Sequence, residues 1–336
     1  MPILDELSRL GRKVTYFTMY ERDETFTKLP ESVLHHSIPP GLLGYSYLNN
    51  LNAQMLVTTT PQLDVMTFRR GKGVKHYCNV PHALSESRYA RPYAYDFFDS
   101  IFCCGKFLKA NIRQIESLRN LPKKDLYEIG VPHYDSMLVS LAEDRANVSP
   151  NSSSIPTVLI APSWGPLSIF ECFGTDFIEP LAAKYRVIVR PHPQMKTSST
   201  ILYEKLLSLA NIEISTEQSP ASALARTDIL VSDISGIAHE CAFIYEKPVI
   251  IIDQKQVEGG LEGELLGGDS ELKQRCREVI VTVPPSQINA LAERIDAVLV
   301  SYSRDKLEAI RGDVTYNFGR AGKVAAHQIE EILKCL

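Results

Sequence analysis

A chain of 336 residues is longer than one hydrophobic core usually serves and leaves room for two domains. Its apolar and charged fractions, 44% and 23%, are those of a folded globular protein and exclude a long disordered or collagen-like chain. The net charge of -4 gives no overall pull toward nucleic acid, and seven cysteines without a C-x-x-C pair fit a reducing compartment better than a secreted disulfide scaffold.

In chain order, Ile3–Leu10 has the spacing of an amphipathic helix, followed by a strand at Val14–Thr18 and an extended run at Val33–Ser37. A helix is expected at Leu48–Gln54, with extended runs at Met55–Thr59 and Gly73–Asn79. Ser100–Cys104 reads as a strand and Lys106–Leu118 as a helix. The polar, serine-rich stretch Arg145–Pro156 reads as a linker. After it the alternation restarts. Strands are expected at Thr157–Ala161, Arg186–Val189, Ile212–Ser215, Asp228–Val231, Val249–Ile252 and Val279–Val283. Helices are expected at Ile169–Lys184, Thr200–Ala210, Ile237–Tyr245 and Ser286–Val300, a looser region at Gln254–Glu278, and a final helix at Gly319–Leu336. Such alternation without hairpin turns predicts parallel sheets covered by helices. The expected division is 1–148, a linker at 149–156, a second domain at 157–318 and a C-terminal helix at 319–336. Two doubly wound α/β halves facing across a cleft would place a ligand at the carboxyl ends of their strands.

Three polar clusters follow predicted strands in the second half: Ser163-Trp164-Gly165, Arg190-Pro191-His192-Pro193 and Ser232–Gly236. Ser235 and Gly236 stand where a new helix exposes free N–H groups, a setting that suits a phosphate. Glu240 falls one turn into that helix, within reach of a ribose. Asp233 and Ser235 read equally well as simple helix caps. Arg190 and His192 match the oxygens of a diphosphate. The plainer alternative pairs Arg190 with a carboxylate and holds His192 by backbone contacts between its prolines. In the first half His82 is the strongest candidate, because an imidazole titrating near neutrality suits removal of a proton from an alcohol. His133, after a Gly-Val-Pro turn, reads as lining the cleft or capping the turn. Neither a metal-ligand spacing nor a P-loop nor a nucleophile elbow occurs. No run of apolar residues reaches bilayer length, so a cytoplasmic location is expected, with peripheral contact at the inner membrane face left open.

His82–Tyr89 (HALSESRY), Tyr95-Asp96, Phe102–Phe107 (FCCGKF), Gly130–Asp135 (GVPHYD), Ala161–Gly165 (APSWG), Arg190–Pro193 (RPHP), Thr227–Glu240 and Lys247–Ile250 (KPVI) follow one another in one order. This set resembles the CDP-glycerol glycerophosphotransferase family of teichoic acid and capsule-polymer polyol-phosphate transferases, over about Lys75–Ile252. The resemblance implies a GT-B fold of two Rossmann-like domains, with the acceptor mainly on the first and the donor mainly on the second. It implies attack by a hydroxyl on the β-phosphorus of a CDP-alditol and release of CMP. His82 and His192 match the family's two histidines, and Ser85 and Glu86 its first motif on the acceptor side. Ala83 stands where glycine is usual and Gly236 where a second serine is frequent. Family members also usually carry a strand ahead of the first helix, whereas this chain opens on the helix. The implied partners are a CDP-activated glycerol or ribitol donor and a surface glycan or lipid-linked primer, with no nucleic acid. No cofactor is required, since fixed donors can take the place of Mg²⁺. The alternatives are a GT-B glycosyltransferase that uses a nucleotide sugar, and a nucleotide-binding module without turnover.

Overall fold

A computed structural model describes residues 1–20, 23–147, 155–217, 219–253 and 260–336. The chain folds as two compact units, Met1–Ser136 with Glu258–Leu272 and Gly312–Leu336, and Met137–Val257 with Lys273–Arg311. The core of the expected linker, 148–154, lies outside the described residues, as does 254–259 of the expected looser region.

In the first unit β1 (Val14–Thr18) and β2 (Val33–Ser37) form a parallel pair. A second parallel sheet runs β3 (Ala53–Thr58), β4 (Val74–Asn79), β5 (Ser100–Cys103), β6 (Asp125–Glu128) in that spatial order. The helix Ala321–Lys334 places Ala321, Ala325, Ala326, Ile329 and Ile332 on one stripe, which buries Leu7, Cys78, Val80, Phe102 and Ile129. Arg12 adds a two-pronged ion pair to Glu330, with Nε donating to Oε1 at 2.7 Å. The C-terminal helix is thus part of the first unit's core rather than an appendage.

The region expected to be loose contains the helices Glu262–Leu266 and Glu271–Cys276. Glu262 is buried and accepts from both Arg119 guanidinium nitrogens at 2.8 and 2.7 Å and from the Tyr93 amide at 2.7 Å. Arg119 also holds Asp96 at 3.0 and 2.9 Å. A single half-buried guanidinium serving two carboxylates fixes this segment to the first unit. Removal of either kind of partner would strand a charge in the interior.

In the second unit six parallel strands are arranged β12-β11-β10-β7-β8-β9. They are β7 (Thr157–Ile160), β8 (Arg186–Val189), β9 (Ile212–Ile214), β10 (Ile229–Ser232), β11 (Val249–Ile252) and β12 (Ile280–Val283). Renumbered within the unit this is the doubly wound order 3-2-1-4-5-6, whose direction of winding reverses between β7 and β10. β7 and β10 are buried along their whole length, as strands covered by helices on both faces must be. The helix expected over Ile169–Lys184 is two short ones, Ile169–Phe173 and Ile178–Ala182. Gly174, at φ +68°, ends the first in a conformation that side chains disfavour.

Candidate active site

The reversal point of the second sheet gathers the polar loops. β7 leads into Ser163-Trp164-Gly165, β8 into Arg190 and His192, and β10 into Asp233–Gly236 and the helix Ile237–Phe243. β10 and β8 flank β7 on either side, so all three loops leave neighbouring strands at the same edge.

Asp233 does not cap the helix that follows it. Its fully buried carboxylate accepts from the Ser163 amide at 2.7 Å and from the Ile169 amide at 3.1 Å, which ties down both ends of the loop after β7. Burial raises its pKa, and the two amides oppose that rise. Ser232, also fully buried, donates its hydroxyl to the Ala161 carbonyl at 2.6 Å. Both residues, expected to contact phosphate, instead build the loop that carries Ser163, Trp164 and Gly165. The helix N-cap is Gly236, without a side-chain cap. Among the described residues no acceptor takes the amides of Ser235 or Gly236. The capping reading of Asp233 and Ser235 therefore does not hold, and two main-chain donors stay without an acceptor among the described residues at the sheet edge. Gly236 has φ -58°, which any residue adopts, so its exchange for the family's serine carries no backbone strain.

Arg190 is aimed by Ser215 and Glu217 beyond β9. Its Nη1 donates to Ser215 Oγ at 3.0 Å and its Nη2 to the Glu217 carbonyl at 2.8 Å. Neither residue was legible as a site residue, because nothing in the local pattern links them to β8. His192 is half-buried, stacks on Trp164 at 5.9 Å and 30°, and accepts the Gln194 amide on Nδ1 at 3.2 Å. Burial and the charge of Arg190 lower its pKa. A neutral ring with Nδ1 occupied carries its proton on Nε2 and is a hydrogen-bond donor there. Trp164 itself is 45% exposed.

Glu240 feels the Arg190 charge, yet burial raises its pKa from 4.5 to about 7. A raised carboxyl pKa favours the native state at low pH, and that contribution is lost as pH rises through the native value. The stability gained by Glu240→Gln over the parent should therefore grow from pH 4.5 to pH 7, by up to roughly 3 kcal/mol. Urea unfolding at a series of pH values checks this. Parallel curves for the two proteins would refute it.

In the first unit His82 follows β4 and His133 follows β6, at the same edge of the sheet. Both rings reach solvent. Burial lowers the pKa of each, and the positive charges of the amino terminus and of His82 lower His133 further. The two imidazoles are thus within electrostatic reach of one another. Ala83 is not among the residues of positive φ, so alanine in place of glycine is compatible with this backbone. Ser85 is exposed, and its hydroxyl donates to the Glu86 carbonyl at 3.3 Å. Glu86 departs from the expectation. Its buried carboxylate accepts from Ser270 Oγ, from the Glu271 amide at 3.0 Å and from the Leu272 amide at 3.4 Å. It holds Ser270, Glu271 and Leu272 of the same unit and is too buried to meet an acceptor. The cause is a partner more than 180 residues away, invisible in the motif. Among the described residues no three His, Cys, Asp or Glu side chains group to hold a metal ion.

Two Rossmann-like units, one with its polar loops at the winding reversal, are the architecture of the GT-B class. Solved structures share the fold. The wall teichoic acid polymerase TagF matches with a TM-score of 0.60 at 14% identity, over 99% of this chain and 84% of that one. A glycosyltransferase from Rickettsia africae gives 0.56 at 15% identity, over 99% and 93%. A UDP-GlcNAc 2-epimerase from Neisseria meningitidis gives 0.57 at 13% identity, over 98% and 95%. The chain belongs to the CDP-glycerol:poly(glycerophosphate) glycerophosphotransferase family, whose model matches residues 50–256, well over half its length. It is accordingly an enzyme of polyol-phosphate transfer from a CDP-activated donor. Among curated protein sequences none matches the chain.

Proposed function

We propose that the chain transfers glycerol or ribitol phosphate from its CDP ester to a hydroxyl of a bacterial surface glycan or a lipid-linked primer. The acceptor oxygen attacks the β-phosphorus, a new P–O bond forms, and the bridging P–O bond breaks with its electron pair leaving on CMP. His82 takes the acceptor proton. The charge gathering on the leaving phosphate meets the Nε2–H of His192, the guanidinium of Arg190 and the amides of Ser235 and Gly236. Such fixed donors act most strongly where water is scarce. Glu240 holds the ribose, and the loop Ser163–Gly165 closes the donor pocket beside His192. Ser85 and His133 stand on the acceptor side with His82. No metal ion is required by this arrangement, and the work is placed in the cytoplasm, at the inner face of the membrane when the acceptor is lipid-linked.

The observation that carries the reading is the convergence of His192, Arg190 and the uncapped Gly236 helix start on one sheet edge of a family member. Incubation with CDP-glycerol or CDP-ribitol and candidate acceptors should release CMP and carry phosphorus into the product. Release of UDP from a nucleotide sugar, with none of CMP, would instead assign glycosyl transfer. Nucleotide binding without release from any donor would assign a module that has lost turnover.

A further inference from the structure

Trp164 is the only tryptophan of the chain, and it is exposed. Among the described residues it is no part of the second unit's apolar cluster around Val158, Ile169, Val187 and Ile229. Packing therefore does not account for the indole. What it touches is a ring: His192 lies against it at 5.9 Å between centroids and 30° between planes, within the range of an offset stack.

The two rings leave neighbouring strands, β7 and β8, whose last residues Ile160 and Val189 are paired. Each is carried by a stiff loop. On the β7 side the Asp233 carboxylate holds the Ser163 and Ile169 amides at 2.7 and 3.1 Å. The Ser168 amide donates to the Gly165 carbonyl at 2.9 Å, and Gly165 itself has φ +84°, a conformation that a side chain would oppose. Pro162 and Pro166 fix two further φ angles beside Trp164. On the β8 side Pro191 and Pro193 confine the backbone of Arg190 and His192 to extended conformations. The Met195 amide donates to the His192 carbonyl at 2.9 Å. With the backbone set, the soft torsion of the imidazole is χ2, which is broad for a ring on a methylene. The Gln194 amide on Nδ1 at 3.2 Å pins one ring atom. A flat indole against the ring face restrains the plane.

We infer that Trp164 is a positioning residue for His192: its indole holds the imidazole plane so that the Nε2–H keeps one direction, toward the diphosphate of the donor. The inference rests on the proposed reaction for the purpose of that direction, whereas the pairing of the two rings exists without substrate. A donor group acts on a developing charge only while it is aimed at it, and an untethered ring would spend most of its time elsewhere. Arg190 is the charged group that acts on the His192 ring among the described residues, and neither the indole nor the Gln194 amide titrates. Its charge and burial both favour the neutral ring that the stack orients.

A single tryptophan allows the pairing to be read directly, because a protonated imidazole in contact with an indole quenches its fluorescence and a neutral one does so far less. Emission of the substrate-free chain should fall as pH is lowered through a midpoint below 6.5, and His192→Gln should abolish that step. With CDP-glycerol as donor, Trp164→Ala should lower kcat/KM by about 10–10²-fold, the scale of a misdirected catalytic group, while melting with the parent. Trp164→Phe, which keeps a flat ring, should recover most of the loss. Since the effect passes through His192, the double variant Trp164→Ala/His192→Ala should be no slower than His192→Ala alone. Losses that multiply in the double variant would overturn the inference and make Trp164 a donor contact in its own right. A step that survives in His192→Gln would overturn it too. The fluorescence needs no donor and so separates the two readings. A parent that shows the step but releases no CMP would refute the proposed reaction and support the pairing. One that turns over without the step would refute the pairing.

Discussion

Replacing His82 with alanine is expected to lower kcat by about 10²–10⁴-fold, the usual worth of a positioned general base. The residues proposed to hold the donor all belong to the second unit and His82 to the first, so nucleotide affinity should stay within about twofold of the parent's. The pH dependence supplies a sharper test. A base must be neutral to act, and burial lowers the His82 pKa below its ordinary 6.5. The acid limb of kcat/KM, which reports the free enzyme, should therefore fall below pH 6.5 and disappear from the residual rate of His82→Ala. A limb centred above pH 7 in the parent, or one that persists in the variant, would assign the titration to another group. His192→Ala should also lose turnover, but under the proposed function its loss should extend to donor binding, since its Nε2–H is the donor proposed for the diphosphate.

The second large effect is expected at Asp233, and it is one of stability. Asp233→Ala leaves the amides of Ser163 and Ile169 without acceptors in a buried setting, at about 1–3 kcal/mol each. A total of about 3–5 kcal/mol corresponds to a fall in melting temperature of roughly 10 °C for a unit of this size. Asp233→Asn should cost less, because its carbonyl oxygen still serves one amide while its NH₂ group confronts the other donor. Both variants should lose donor affinity through the displaced loop that carries Trp164. Calorimetry with and without CMP separates the two consequences. A variant Asp233→Ala that melts with the parent but no longer binds CMP would make Asp233 a direct ligand contact and not a strut.

The strands of the second unit were legible because each is a short apolar run bounded by turn residues, and β8 and β11 have the expected ends. In the first unit β1, β2 and the helix Lys106–Leu118 likewise have the expected limits, since their patterning is local. The helix Leu42–Asn49 escaped notice and was expected six residues later. It starts after two prolines at Gly41, which has φ +73°, and it has no charged face to set its period. Its composition imitates a turn followed by a buried run. In the second unit, residue types pointed to strand ends that the fold brings to one sheet edge, but not to the contacts that each side chain makes there. Asp233 and Glu86 each sit in motifs that suggest ligand contact, yet both spend their carboxylates on main-chain amides distant in sequence. Burial decides such cases, and burial is a property of the assembled chain. The Nδ1 partner of His192, only two residues on, was the one positioning contact a local reading had within reach.

The order in which the chain is assembled has a bearing on synthesis. The second unit is complete in sequence at Arg311, whereas the first needs Gly312–Leu336 to cover Leu7, Phe102 and Ile129. On a ribosome, the later-named half can therefore fold while the earlier one still waits, open, for its last helix. From the completion of β6 at Glu128 to the synthesis of Ala321–Lys334, about two hundred residues of translation, a partly bare sheet is exposed to chaperones or to neighbouring chains. Deletion of Ala321–Lys334 should then produce insoluble protein rather than a slightly shortened enzyme.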